Sequence, residues 1–374
     1  SVAVIATVVL VARLFDTVSD PIIGYWSDRY YAKKGNRKPF ILFGSLVFIV
    51  GAYFLFNPVK NVNGIYFLFF ILLFYLGYTL FSIPHYAWGN DISGDSKSST
   101  KIYAVRASFM YFGILLFYAL PQVPYFESTE FTPQVLRWAV FLAAVLLIPS
   151  LYFNLKNVPG SLGRSFFDGD ICKGHSPQDK KDSDVGLFVL WLNVKHNEPF
   201  LIFLSAFILW GVGIGCWGGL LFIFINSYMD MGEHFSLAAL ISVGGSLMSV
   251  KLFSRLAMNR GKIFAWVISS LMTTVSIFLM LLLDPKDPNL FLLVVIMLMA
   301  YLGSISFMIF APALLSDIVD YGTWKFGGNF AGSYFSLFMM VAKANDAIGI
   351  ALGLTIVNSF GFSLSSPNNE FNSV

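Results

Sequence analysis

An all-α polytopic membrane protein is the fold class this chain predicts, and three observations predict it. Of its 374 residues 57% are hydrophobic and only 12% are charged, with 40 Phe among them, and the mean hydropathy is +0.72. Soluble domains carry about 25% charged residues, and half that share cannot cover a water-facing surface. The apolar residues also fall in runs of the length that crosses a bilayer as a helix, about 17 to 25, instead of the roughly ten-residue alternating segments of a membrane barrel.

Ten such runs are predicted as spans: 3–26, 39–57, 65–89, 103–121, 135–155, 200–226, 236–257, 261–283, 289–315 and 332–362. The first carries Arg13, Asp16 and Asp20 in an otherwise apolar stretch. It starts at Ser1 with no basic leader or cleavage site, so it reads as a span and not as a signal peptide. The next four spans follow over short polar turns. A polar stretch, Lys156 to Asn197, then interrupts the pattern with Gly, Ser, Pro, Asp and Lys and no helical period, and reads as a flexible cytoplasmic linker. The domains expected are therefore an N-terminal bundle over 1–155, a linker over 156–197 and a C-terminal bundle over 198–374. Glycine runs in the later spans, Gly211 to Gly215 and Gly349 to Gly353, predict close helix approach. They are not nucleotide loops, since no strand and no following Lys-Ser/Thr accompany them.

Orientation follows from the 24 Lys and Arg. With residue 1 outside, the outer loops hold Lys60, Arg137 and Lys286, while Arg13, Arg106 and Lys343 fall within or at the edge of spans and all others lie in inner loops. That bias satisfies the positive-inside rule. The two cysteines, Cys172 in the linker and Cys216 in the sixth span, predict neither a disulfide nor a metal site. Four scattered histidines offer no catalytic constellation, which argues against an enzyme, and no repeated ring of polar residues argues for a channel. No cofactor and no nucleic-acid partner are expected.

The charges inside the first span carry the functional signal. A carboxylate at the centre of a bilayer costs about 2.5–3.5 kcal/mol even on lenient scales, so ionisable residues there face water-filled paths for ions or substrates. Asp16 and Asp20 are four residues apart and share a helix face, at about 5–6 Å between Cβ atoms. Two such carboxylates share a proton or hold a cation between them. The structural alternative is a simple ion pair of Asp16 with Arg13. In the tenth span Lys343 is as costly, and its candidate partners are Asp346 on the same helix and Asp16 or Asp20 on the facing half.

The motifs then become specific. Arg13-Leu-Phe-Asp-Thr-Val-Ser-Asp-Pro21, Ile22 to Arg29, the loop Lys34 to Pro39, Tyr78 to Pro84, Asp317 to Lys325 and Lys343, in this order and spacing, resemble the glycoside-pentoside-hexuronide:cation symporters, the melibiose permease group of the major facilitator superfamily. The resemblance implies that superfamily's two-bundle fold, with about ten of its twelve transmembrane helices here and the first and last absent. It implies a cation site at Asp16, Asp20 and Thr79, with Ser19 where relatives often have asparagine, for a monovalent cation such as sodium, or for a proton. Oxygen donors of this kind suit a hard cation.

On the sugar side the resemblance assigns Tyr78, Tyr86, Arg106 and Lys343. Ser82, Met308, Phe338 and Met339 depart from the polar or indole groups of the melibiose group and imply a substrate other than an α-galactoside. His85, beside Pro84 at an expected helix break, is left as a structural or pathway residue. Asp28 and Arg29 in one half, with Asp317, Asp320 and Tyr321 in the other, look like the family's cytoplasmic gate, and Arg13 and Asp346 join the coupling charges. The function expected is cation-coupled symport of sugars or glycosides by alternating access. The alternative is a lysolipid or other amphiphile carrier of the same superfamily, for which Met308, Phe338 and Met339 would suit an acyl chain. A monomer in a bacterial inner or plasma membrane completes the expectation.

Overall fold

The computed structural model describes residues 2–58, 62–126, 131–161, 194–326 and 328–359. Among these residues run ten long α-helices and no strand: α1 Val2–Lys34, α2 Lys38–Phe56, α3 Gly64–Asp91, α4 Ser96–Ala119, α5 Pro133–Asn157, α6 Glu198–Ile223, α7 Phe235–Arg260, α8 Lys262–Leu279, α9 Leu290–Phe326 and α10 Ala331–Ser359. Nine stretches, those built on α2 to α10, are long and apolar enough to cross a membrane. Each predicted span corresponds to one helix.

The differences lie at the ends, where capping and local charge extend a helix beyond its apolar run. α1 continues past Trp26 to finish on Lys33 and Lys34, cations that complement the negative end of the helix dipole. α4 begins at Ser96, seven residues before its predicted start, because Asp95 caps it and accepts from the Ser98 backbone N–H at 2.7 Å. That Ser98 contact also holds the Asp95 carboxyl below the usual carboxylate range. α9 runs on to Phe326, so Asp317, Asp320 and Tyr321 are helical. α6 passes at its outer end into a π-helical turn, Phe224–Tyr228. The break expected near Pro84 does not occur, since α3 runs unbroken from Gly64 to Asp91. Most of the predicted linker, with Cys172, lies outside the described residues.

Close approach decides which helices pair. α6 and α10 meet backbone to backbone, as the glycine runs predicted: a Cβ on Gly349 would stand 2.6 Å from the Cys216 nitrogen, a distance real side chains do not tolerate. α2 lies along α3, with α5 against α2, and α9 lies along α7 and α8. Two seams then join the earlier helices to the later ones. In one, α1 packs on α10; in the other, α4 packs on α7 and α9. Between the seams, an aromatic core from α3, α4, α6 and α10 gathers Tyr86, Tyr103, Phe203, Phe207, Phe335 and Phe338.

Candidate functional site

A cluster of buried charges assembles across the α1/α10 seam. Asp16 and Asp20 share the buried face of α1, as their spacing requires, with side chains 3% and 0% exposed. From α10, the Lys343 ammonium enters between them, 2.9 Å from Asp20 Oδ1 and 3.2 Å from Asp16 Oδ2. From α3, the Thr79 hydroxyl donates to Asp20 Oδ1 at 2.9 Å, and the Lys343 Nζ donates to Thr79 Oγ1 at 3.2 Å. Tyr78 places its ring centroid 5.8 Å from the same ammonium. A cavity of about 220 Å³ opens on this cluster, lined by Arg13, Asp16, Thr17 and Asp20 of α1 and by Met340 and Lys343 of α10.

Burying three charges is tolerable only when they are paired and hydrogen-bonded. Here the pairing is incomplete on the acidic side: Asp16 Oδ1 and Oδ2 and Asp20 Oδ2 are buried without a hydrogen-bond partner. The Asp16–Lys343 contact is thus an ion pair by distance without hydrogen-bond geometry. Those oxygens are hard donors of the kind that could hold a small cation. Among the described residues no group of three or more His, Cys, Asp or Glu forms a conventional metal cluster.

Not every residue named with this site touches the carboxylate pair. Ser19 is buried, but its hydroxyl turns back to the Asp16 carbonyl of its own helix at 3.4 Å, because α1 offers that acceptor three residues away. Arg13 is exposed and lies over the Tyr75 ring at 5.6 Å, so the simple Arg13–Asp16 pair does not form among the described residues. Asp346 is exposed on α10 and is not the partner of Lys343, whose long stem carries its charge to the opposite half.

Nearer the inner end by the charge rule, Arg106 holds its guanidinium 3.4 Å from the centroid of Tyr86 instead of extending toward the headgroups. Tyr86 in turn stacks on Phe335 at 5.6 Å and on Tyr103 at 6.2 Å. Ser82, one turn before Tyr86, is buried with its hydroxyl unpartnered. Met339 and Phe338 are packed in the core at 7% and 4% exposure. His85 stacks on Phe81 at 5.4 Å, and its Nδ1 is buried without a partner.

At the inner ends the halves are tied by two polar clusters. Asp28 accepts from the Gly332 and Ser333 backbone N–H groups, both at 2.7 Å, and from the Ser333 hydroxyl at 2.6 Å. A carboxylate at the N-terminus of α10 meets both its free N–H groups and the positive end of its dipole. Arg37 fixes that carboxylate, with Nη1 2.9 Å from Asp28 Oδ1 and Nε 2.7 Å from Asp91 Oδ2. Burial alone would lower the Arg37 pKa, but Asp91 and then Asp28 outweigh it and hold the guanidinium above its ordinary value. In the second cluster the Lys262 ammonium donates to Ser99 Oγ of α4 at 2.9 Å, to the Ala313 carbonyl at 2.8 Å and to Asp317 at 2.9 Å. Ser96 donates to Asp317 at 3.1 Å, and Asn90 donates to Asp320 at 3.5 Å.

Of the residues expected at the gate, Asp28, Asp317 and Asp320 reach across the halves to backbone N–H groups, serines and an asparagine, while the ion pairs Asp28–Arg37 and Asp317–Lys262 each stay within one half. Arg29 is exposed, and Tyr321 meets Trp324 of its own helix at 5.9 Å. Sequence reasoning missed Arg37, Asp91, Lys262 and Ser99. Arg37 and Lys262 read only as inner-loop cations, and no local pattern shows that Arg37 is fully buried.

A multi-pass bundle with paired charges buried at its seam fits a membrane transporter. A family model described as MFS/sugar transport protein matches residues 1–373, and the chain belongs to that family, within the glycoside-pentoside-hexuronide:cation symporters of the major facilitator superfamily. It is similar to the raffinose carrier protein of Pediococcus pentosaceus, 24% identical over 93% of this chain and 54% of that protein. It is also similar to the putative glycoside/cation symporter YagG of Escherichia coli strain K12, 25% identical over 98% of this chain and 77% of that protein. The chain thus spans about half the length of the first and about three quarters of the second. Among solved structures it resembles the major facilitator superfamily transporter FucP in its outward conformation, with a TM-score of 0.64 at 15% identity, over 95% of this chain and 84% of that one. The relatives and the spans make this a multi-pass protein of the bacterial inner membrane, serving sugar transport.

Proposed function

We propose that the chain works as a cation-coupled symporter of sugars or glycosides by alternating access, its two helical halves rocking about the midplane cluster. The observation that carries this reading is Lys343 of one half seated between Asp16 and Asp20 of the other. A sodium ion or a proton reaching the spare oxygens of those carboxylates competes with the lysine, which is then free to turn toward substrate. Without either, the carboxylates are charged and held by Lys343, so movement of the empty carrier is disfavoured. Coupling is that difference in free energy.

The inner-end clusters support the same cycle. Asp28 on the α10 terminus and Lys262 between α4 and α9 join the halves at the end placed inside by the charge rule, which leaves the opposite end to admit substrate. Tyr78, Tyr86 and Arg106 are the proposed sugar contacts from α3 and α4. The amphiphile alternative draws less support, because Phe338 and Met339 are packed against other aromatics instead of lining an open apolar path.

The deciding experiment is uptake of radiolabelled sugars and lysolipids by cells expressing the complete gene, with and without sodium and at two external pH values. Accumulation of a sugar that depends on sodium or on the proton gradient is the expected result. Lysolipid uptake without sugar uptake would replace this reading with the amphiphile carrier.

A further inference from the structure

Toward the outer side of the Lys343 cluster, where α4, α6 and α9 meet, stands a group of aromatic side chains that the mechanism above leaves unused. Tyr111 and Tyr118 come from α4, Tyr301 and Ser304 from α9 and Trp217 from α6. Tyr111 and Tyr118 are 15 and 22 residues from Ser96, hence about 22 and 33 Å along the axis from the inner end of α4 at 1.5 Å per residue. Lys343 is only 12 residues from Ala331, about 18 Å along α10.

The contacts among these residues leave donors to spare. Tyr111 Oη and Ser304 Oγ are 3.4 Å apart, and the rings of Trp217 and Tyr301 meet edge to face at 5.9 Å. Tyr111, Tyr118 and Tyr301 pack in one cluster. The indole N–H of Trp217 is buried without a hydrogen-bond partner. Tyr118 and Tyr301 are half-buried, and among the described residues their hydroxyls make no hydrogen bond.

A buried donor left unpaired costs about 1–3 kcal/mol, and the Trp217 indole is one beside two half-buried tyrosine hydroxyls. Aromatic planes with polar tips suit a sugar ring: its C–H face packs on the plane and its hydroxyls pair with the N–H and O–H groups. An acyl chain would use the planes and leave every donor unpaired, although Met308 packs in the same cluster. We propose that Trp217, Tyr118 and Tyr301 form a second sugar-contacting subsite on the outer side of the midplane, where the substrate's ring is received before it meets Lys343 and Arg106. This rests on the sugar-symport reading and narrows it, since a lysolipid has no use for the donors.

The test uses the full-length protein in cells and the sugar that its wild-type form accumulates. Trp217→Phe, Tyr118→Phe and Tyr301→Phe keep a ring and delete one donor each, with membrane level followed by immunoblot. The Trp217→Phe, Tyr301→Phe double variant should raise the sugar KM about thirtyfold, two net hydrogen bonds at the usual strength, while maximal rate and cation dependence stay close to wild type. Independently of those variants, the sugar should slow alkylation of Ser304→Cys in a cysteine-free chain by an external thiol reagent. Unchanged KM with unchanged alkylation overturns the subsite while leaving sugar symport standing. Absence of any sugar uptake by the wild type overturns both.

Discussion

The Lys343 Nζ lies 2.9 Å from Asp20 Oδ1, although the two residues are 323 positions apart and belong to different halves of the chain. The lysine is the only described cation that bridges both Asp16 and Asp20, so whatever removes it from them must either replace its charge or protonate them.

The carboxylates are the first point of test. Asp16→Asn or Asp20→Asn in the full-length protein should abolish cation-driven accumulation while leaving some downhill or exchange transport, because Arg106 and Tyr86 lie on other helices. Normal sodium- or proton-driven accumulation in both variants would refute the cation assignment.

Lys343 should show a different pattern. Lys343→Ala leaves two buried carboxylates unpaired, a defect of about 3–5 kcal/mol for a broken buried ion pair, and should lower both thermal stability in detergent and transport. Adding Asp346→Ala should restore neither. Adding Asp20→Asn should recover much of the stability without recovering coupled uptake. Recovery of coupled uptake in the Lys343→Ala, Asp346→Ala variant would show instead that Lys343 only neutralises its neighbour.

Arg37 is fully buried, and its substitution isolates a structural role. Arg37→Gln strands Asp28 and Asp91, and a loss of about 3–5 kcal/mol is expected. Arg37→Lys should rescue little, because a single ammonium cannot replace a planar fork that serves two carboxylates at once. A melting temperature in detergent equal to wild type for Arg37→Gln would count against this.

The inner clusters predict a shift in which side is open. Lys262→Gln removes the ion pair to Asp317 and weakens the bond to Ser99, so a cysteine placed at Ser316 should become more reactive to a thiol reagent applied from the inner side. Reactivity unchanged from the parent would mean that this cluster does not hold the halves together.

Topology is open to a separate test. Cysteines in the 156–197 stretch of a cysteine-free form should react with an impermeant reagent only after permeabilisation, whereas one near Glu127 should react in intact cells. Equal labelling of the two would overturn the orientation drawn from the Lys and Arg distribution.

What was legible in advance depended on range. Gly215 and Gly349 announced a close crossing, and it formed, because a missing Cβ is a local property that any partner helix can exploit. Asp16 and Asp20 stand out as charges in an apolar span, whereas Thr79, whose hydroxyl meets Asp20 at 2.9 Å, was named only through the family resemblance. Ser19 was carried with them, yet its hydroxyl chose the carbonyl three residues back, an acceptor present in every helix. Arg37 and Lys262 were hidden for the opposite reason: polar residues near loops look solvated until the packing of other helices removes the water.

By itself the sequence determined the class of fold, the apolar runs and the presence of costly charges within them, since each follows from runs and spacings within a single helix. Only the tertiary structure decided that Lys343 pairs with Asp16 and Asp20 and not with Asp346, and that Asp28 caps a helix 304 residues away. Partner choice among buried charges depends on which helices share a seam. That is set by the packing of the entire bundle, where the charge reaching the drier and closer partner gains most from Coulomb attraction.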